Sequence, residues 1–106
     1  MLGKVQKDKK GCYSVTVAGE LNMQSVPVIS KQLSALLPHM AAIDFTLDFS
    51  SVSHSDSAGV ALLVEIMRLS KKAKISLLFS NLPQQMQDIA TIGGLIEILP
   101  IEKRAL

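Results

Sequence analysis

Polar and apolar positions change rhythm several times along the chain, and each change predicts an element. Tyr13, Val15 and Val17 alternate with Ser14, Thr16 and Ala18, the period-two pattern of a strand with one buried face. Just ahead of it, Asp8-Lys9-Lys10-Gly11 is a turn sequence, so Lys4–Lys7 and Cys12–Ala18 are expected to pair as a hairpin. Gly19-Glu20-Leu21-Asn22 then takes the chain out of the sheet. From about Ser25 the rhythm becomes helical, with Val26, Ile29, Leu33, Leu36 and Leu37 on one face. Ser25 is the expected N-cap, Pro27 is tolerated in the first turn, and Pro38 stops the helix.

The second half repeats this grammar. Ile43, Phe45, Leu47 and Phe49 alternate with Asp44, Thr46 and Asp48 as a strand, and a short polar turn leads into a helix from about Ala58 to Lys72. Ser70, Lys71 and Lys72 suit the negative end of its dipole. Ile75–Phe79 reads as a short strand, and Asn81-Leu82-Pro83 as the loop before another helix. That helix carries Met86, Ile89 and Ala90 on one face and ends at Gly93-Gly94. Ile96–Leu99 reads either as a last strand before Pro100 or as a helical tail. Three strand–helix–strand units predict an α/β fold, a single domain over residues 1–106 with a mixed, mostly parallel β-sheet. It opens with an N-terminal hairpin and has helices packed on the sheet.

Composition narrows the class. The 106 residues are 48% hydrophobic but only 4% aromatic, without tryptophan, so the core is aliphatic. With 19% charged residues and a mean hydropathy of +0.34, some apolar side chains are expected to face a partner rather than the interior. A net charge of +2 is too small to argue for nucleic acid, and no aromatics interleave with the lysines. The single cysteine, Cys12, allows no internal disulfide and fits a reducing compartment. The N-terminal stretch lacks an apolar run that could serve as a signal peptide. Glu65 and Arg68 interrupt the best membrane-span candidate, so no direct membrane insertion is expected. The expected location is the cytoplasm.

Catalytic chemistry is not supported, and no catalytic residue is assigned. His54, Asp56 and Ser57 have the residue types of a triad but lie too close in sequence to converge on one reacting atom. One cysteine and two distant histidines, His39 and His54, form no ligand-spaced metal set. Gly93-Gly94 lacks the lysine and Ser/Thr of a phosphate loop. No cofactor is expected.

The informative segment is Ser55-Asp56-Ser57-Ala58-Gly59, between strand and helix. A hydroxyl at a helix N-terminus meets free N–H groups and the positive end of the dipole. Three readings of Ser57 stand at this point: a cap worth about 1 kcal/mol, a contact with a partner, or a phosphorylation site. Asp56 is an equally good cap. Gly59 allows close approach of the helix to the sheet, and Asp48 is placed to satisfy backbone N–H groups beyond it. At about 100° per residue, Val60, Leu63, Val64 and Met67 share one helix face, and Leu62, Ile66 and Leu69 fill its neighbour. That arc is wider than packing on one side of a sheet needs. A neighbouring helix accounts for most of it, and the part near Ser57 is a candidate docking surface. Glu65 and Arg68 are placed to pair on the outer face, adding little stability.

The element order and these motifs together resemble the STAS domain family, the fold of bacterial anti-sigma-factor antagonists. The resemblance rests on Gly19-Glu20-Leu21, Leu47-Asp48-Phe49-Ser50 and Asp56-Ser57-Ala58-Gly59 with its helix, and it matches Ser57 to the regulatory Ser/Thr position. The antagonists commonly read Asp-Ser-Ser-Gly and Gly-Glu-Leu-Asp, where this chain has Ala58 and Asn22. In detail the chain is similar to the MlaB-like branch, which serves the Mla phospholipid-transport ABC system of Gram-negative bacteria. That similarity rests on residues 58–65, on Leu82-Pro83 leading to 90–95, and on Ile98-Leu99-Pro100. It implies a non-catalytic adaptor that binds the transporter's ATPase subunit (MlaF-like) and, through it, sits beside the membrane permease at the inner membrane. Ser57 would lie in the contact, surrounded by Asp56, Ala58, Gly59, Val60, Ala61, Val64, Glu65 and Arg68. The alternative is an anti-sigma-factor antagonist controlled by phosphorylation of Ser57, with an anti-sigma factor kinase as partner.

Overall fold

The computed structural model describes residues 2–3, 5–7, 12–40 and 44–101. Strand β1 (Gln6–Lys7) pairs antiparallel with β2 (Tyr13–Leu21), aligning Gln6 with Ser14 and Lys7 with Tyr13. The expected hairpin therefore forms, while its Asp8–Gly11 turn, Lys4 and Ile43 lie outside the described residues. Helix α1 (Ser25–Leu36) runs into a 3-10 turn, Leu37–Met40, that contains Pro38. Strand β3 (Asp44–Ser55), helix α2 (Ser57–Lys72), strand β4 (Ser76–Ser80) and helix α3 (Gln84–Ile92) follow. The sheet order is β1-β2-β3-β4, with β2, β3 and β4 mutually parallel.

Alternation in the strands sorts the two faces of the sheet as expected. Val15, Val17, Phe45, Leu47, Phe49 and Phe79 are buried in one core with Ile29, Leu33, Leu62, Leu63, Ile66, Met86 and Ala90 from the helices. Contrary to the aliphatic core that the composition predicts, Phe45, Phe49 and Phe79 are fully buried in it; Phe49 and Phe79 meet edge-to-face at 5.7 Å, a geometry worth roughly 0.5–1.5 kcal/mol beyond the area buried. The wide apolar arc of α2 is explained by its position, because α1 flanks it on one side and α3 on the other.

Four expectations are corrected. β2 does not leave the sheet at Gly19 but continues to Leu21, with register shifts between Thr16 and Ala18 and between Gly19 and Glu20. Gly19, at φ +92°, accommodates the bend that turns Leu21 into the core. β3 does not end near Ser50 but runs on to Ser55, so the expected polar turn shrinks to Asp56. The N-terminal turn of α1 is closed not by Ser25 alone but by Asn22. The Asn22 side-chain oxygen accepts from the N–H groups of Gln24 and Ser25 at 2.9 and 3.0 Å, and Ser25 Oγ accepts from Asn22 N–H at 3.0 Å. This is the reciprocal logic of a capping box. Finally, residues 96–99 form turns rather than a strand, and the third crossover ends in a single parallel bridge between Phe79 and Ile101.

Helices α2 and α3 end with the same pair of bonds. Ile75 N–H donates to Ser70 O and Lys74 N–H to Lys71 O, as Leu95 N–H does to Ala90 O and Gly94 N–H to Thr91 O. Both are Schellman closures, which place one residue in the left-handed region. That residue is Gly94 at φ +71° in α3 and Lys74 at φ +60° in α2.

Asp48 ties β3 to the turn after β4. Its Oδ1 accepts from Ser50 N–H at 2.9 Å and from the Asn81 amide at 3.0 Å. Burial by itself pushes the Asp48 carboxyl up, but the bonds from Ser50 and Asn81 together hold it below the usual carboxylate range. A depressed carboxyl stabilises the fold above its unfolded pKa and loses that contribution as pH falls through the folded value. Asp48→Asn should therefore make the loss of stability below about pH 4 shallower, as chemical denaturation at pH 7, 4 and 3 would measure.

Candidate partner-docking site

The β3–α2 junction is placed by its neighbours on the sheet. Glu20 pairs with His54 and Leu21 with Ser55, and Asp56 N–H donates to Leu21 O at 3.2 Å. Ser55, which is buried, donates its N–H to the Gln85 side-chain oxygen at 3.2 Å and its hydroxyl to Asp56 O at 3.1 Å. The turn before α1, the start of α2 and the start of α3 thus share one edge of the fold, at the carboxyl ends of the parallel strands.

Asp56 is the cap. Its backbone is extended and its Oδ1 accepts from Ala58 N–H at 2.8 Å. Ser57 follows as the first residue of α2 and is exposed. Among the described residues its hydroxyl has no hydrogen-bond partner, so of the three readings of this residue, capping is already supplied next door. Gly59 is buried against the end of β2. A side-chain carbon there would run into Ser55 Oγ and lie 3.1 Å from Leu21 Cβ and 3.3 Å from Ser55 Cβ. The Gly-Glu-Leu and Asp-Ser-Ala-Gly motifs are thus two sides of one packing contact.

The expected surface divides. Asp56, Ser57, Ala61 and Arg68 are exposed, and Ala58, Val64 and Glu65 are half-buried. Gly59 and Val60 are corrected: both are buried, Val60 at 3% exposure, because they face Leu21 and the sheet rather than solvent. Arg68 donates to both Glu65 carboxylate oxygens, at 3.1 and 2.6 Å. The Arg68 hydrogen bond holds the Glu65 carboxyl below its ordinary value, and the same bond raises Arg68. His54 is an exposed strand residue beside Glu20. One residue escaped the sequence reading. Met23, in the turn before α1 on this same edge, is 82% exposed. A methionine alone between Asn22 and Gln24, off any helical stripe, was the available signal.

Chemically, this edge offers an unengaged hydroxyl at the positive end of a helix, with Met23 as an exposed apolar side chain on the edge. Among the described residues, no helix is long and apolar enough to cross a membrane.

Comparison with known proteins bears on the family and the fold. The family described as "Mlab, STAS domain" matches residues 5–100. The anti-sigma-B factor antagonist of Bacillus subtilis (strain 168) is 29% identical over 99 residues, covering 93% of this chain and 89% of that protein. A crystal structure of a putative anti-sigma factor antagonist from Thermotoga maritima superposes with a TM-score of 0.74 at 14% identity, covering 95% of this chain and 86% of that one. The Bacillus cell fate determinant SpoIIAA, in its phosphorylated form, gives 0.65 at 21% identity, covering 96% and 90%. These structural likenesses speak to the fold, the α/β architecture described above. With the family match running over residues 5–100, from the opening hairpin through α3 to Pro100, the chain belongs to the STAS domain family.

Proposed function

We propose that the chain is a non-catalytic docking protein of the anti-sigma-factor antagonist type, with Ser57 at the centre of the partner contact and as the phosphoacceptor. The observation that carries this reading is the exposed Ser57 hydroxyl beside a cap that Asp56 already provides. The similarity to the Bacillus subtilis antagonist supports the partner class, and a phosphorylated form is described for SpoIIAA. A phosphate at position 57 adds about −1.5 to −2 charge at the helix end whose dipole tolerates it. The fold survives, while a partner packed on Ser57 and Met23 meets bulk and a desolvated charge. Phosphorylation therefore releases the partner. Incubating the chain with an anti-sigma factor kinase and Mg-ATP should add one phosphate by intact mass, and Ser57→Ala should abolish the addition. An unmodified wild-type chain would remove the switch.

A second reading is favoured by the Mlab description of the matching family and by Ala58 and Asn22. Here the same edge docks on the ATPase of a phospholipid-transport ABC system and works on the cytoplasmic side of the inner membrane, reaching the permease only through that ATPase. Stable co-purification with such an ATPase, undiminished by Ser57→Ala, would favour it over the phosphorylation switch.

A further inference from the structure

We propose that the chain carries a second docking face, at the end of α2 away from Ser57, which receives an acidic segment of a partner protein through one large apolar side chain. The face lies beyond the site described above, roughly 20 Å along α2. It is an open groove of about 160 Å³ between the last turns of α2, β4 and residues 98–100. Met67, Ile75, Leu77, Ile98 and Pro100 form its walls. Ser70 also lines it, donating its hydroxyl to Met67 O at 2.8 Å, so the groove pairs apolar walls with polar surface from Ser70 and Lys71. A dry apolar cavity of about 150 Å³ holds a benzene-sized group, so the space suits a leucine, methionine or phenylalanine side chain. A concave site of this size selects a projecting side chain over a flat bilayer. Ile98, 59% exposed, extends the apolar surface beyond the groove.

Charge determines what carries that side chain. Lys71 lies on the rim, and Lys72 and Lys74 are exposed beside it. Among the described residues, the neighbouring carboxylates are Glu97, next to Ile98, and Asp44, opposite Ser76 in the register. Glu65 is engaged by Arg68. The described surroundings thus set three lysines against two carboxylates and complement an acidic segment. Lys74 occupies the left-handed position of a Schellman closure, where α3 has Gly94. In such a contact the apolar anchor supplies affinity, and the rim lysines supply encounter rate and register.

The test is an NMR titration of the isotope-labelled chain with the capped peptide Asp-Glu-Glu-Leu-Leu-Glu-Asp. Saturable shifts are expected at Ile75, Leu77 and Ile98 and not at Met23 or Ser57, weakening in high salt. The double variant Lys71→Gln, Lys74→Gly should lower affinity at least about tenfold. Lys74→Gly relieves the backbone, so that loss cannot be ascribed to unfolding. Ser57→Arg should bind the peptide as wild type does, which separates this face from the one at Ser57. No saturable shift up to about 2 mM peptide, within the weak range of affinities, would overturn the proposal. So would equal binding of a peptide with lysine at every acidic position. Concentration-dependent broadening at the groove without peptide would assign it to a second copy, and binding only to phosphatidylglycerol vesicles would assign it to a lipid surface; either result refutes the acidic-segment occupant.

Discussion

Ser57→Arg should weaken the partner complex by about 100-fold or more, equivalent to roughly 2.8 kcal/mol, while leaving the fold intact. The two halves of this expectation have different origins. Ser57 is exposed and takes no part in the cap, which Asp56 makes through Ala58 N–H. Its replacement therefore removes no native bond. The only folding penalty is a cation at the positive end of α2, about 0.3–1 kcal/mol. At the contact, a guanidinium on a long side chain stands where a hydroxyl stood and must be desolvated without a partner. Isothermal titration against the purified anti-sigma factor or transporter ATPase measures the first half, and a thermal melt the second. Wild-type affinity in the Arg variant would remove Ser57 from the interface under either proposed partner. A collapsed melt would show that the residue supports the fold.

Gly59→Ala should destabilise the chain by about 1–3 kcal/mol, the reverse of what the same change does in an ordinary helix. Alanine exceeds glycine by about 1 kcal/mol in a helix interior. At position 59 the new methyl meets Ser55 Oγ and crowds the Leu21 and Ser55 Cβ atoms. The hydroxyl can rotate, but the two Cβ atoms move only with their strands. Relief requires α2 to lift from the end of β2 and β3, which would also disturb the Asp56 N–H bond to Leu21 O. Urea denaturation of the variant gives the sign directly. An unchanged or raised midpoint would show that the helix shifts freely, and that the close approach does not hold Ser57 in place.

The strands and helices with strong periodicity were legible from the chain alone because one face of each is buried. Val15 and Val17, Phe45, Leu47 and Phe49, and Ile29 and Leu33 are all core residues, as alternation or helical spacing required. The closure of the first turn of α1 is not legible locally, since Asn22 and Ser25 are both good caps and only their reciprocal bonds show the division of labour. The tail at 96–99 was ambiguous because a short apolar run has no decisive period. Its resolution depends on Phe79 N–H bonding to Pro100 O, a contact distant in sequence.

The candidate site divides along the same line. Local chemistry by itself determined that a hydroxyl stands at a helix N-terminus beside a competent acidic cap, because N-terminal signals act within a single turn. What surrounds that hydroxyl was decided only by tertiary structure. The bend at Gly19 brings Leu21 beneath α2, and this buries Gly59 and Val60, which the family resemblance sets around Ser57 in the contact. The pairing of β2 with the long end of β3 sets Met23 on the same edge as Ser57. Burial and adjacency come from long-range packing, which a local pattern of apolar positions does not encode.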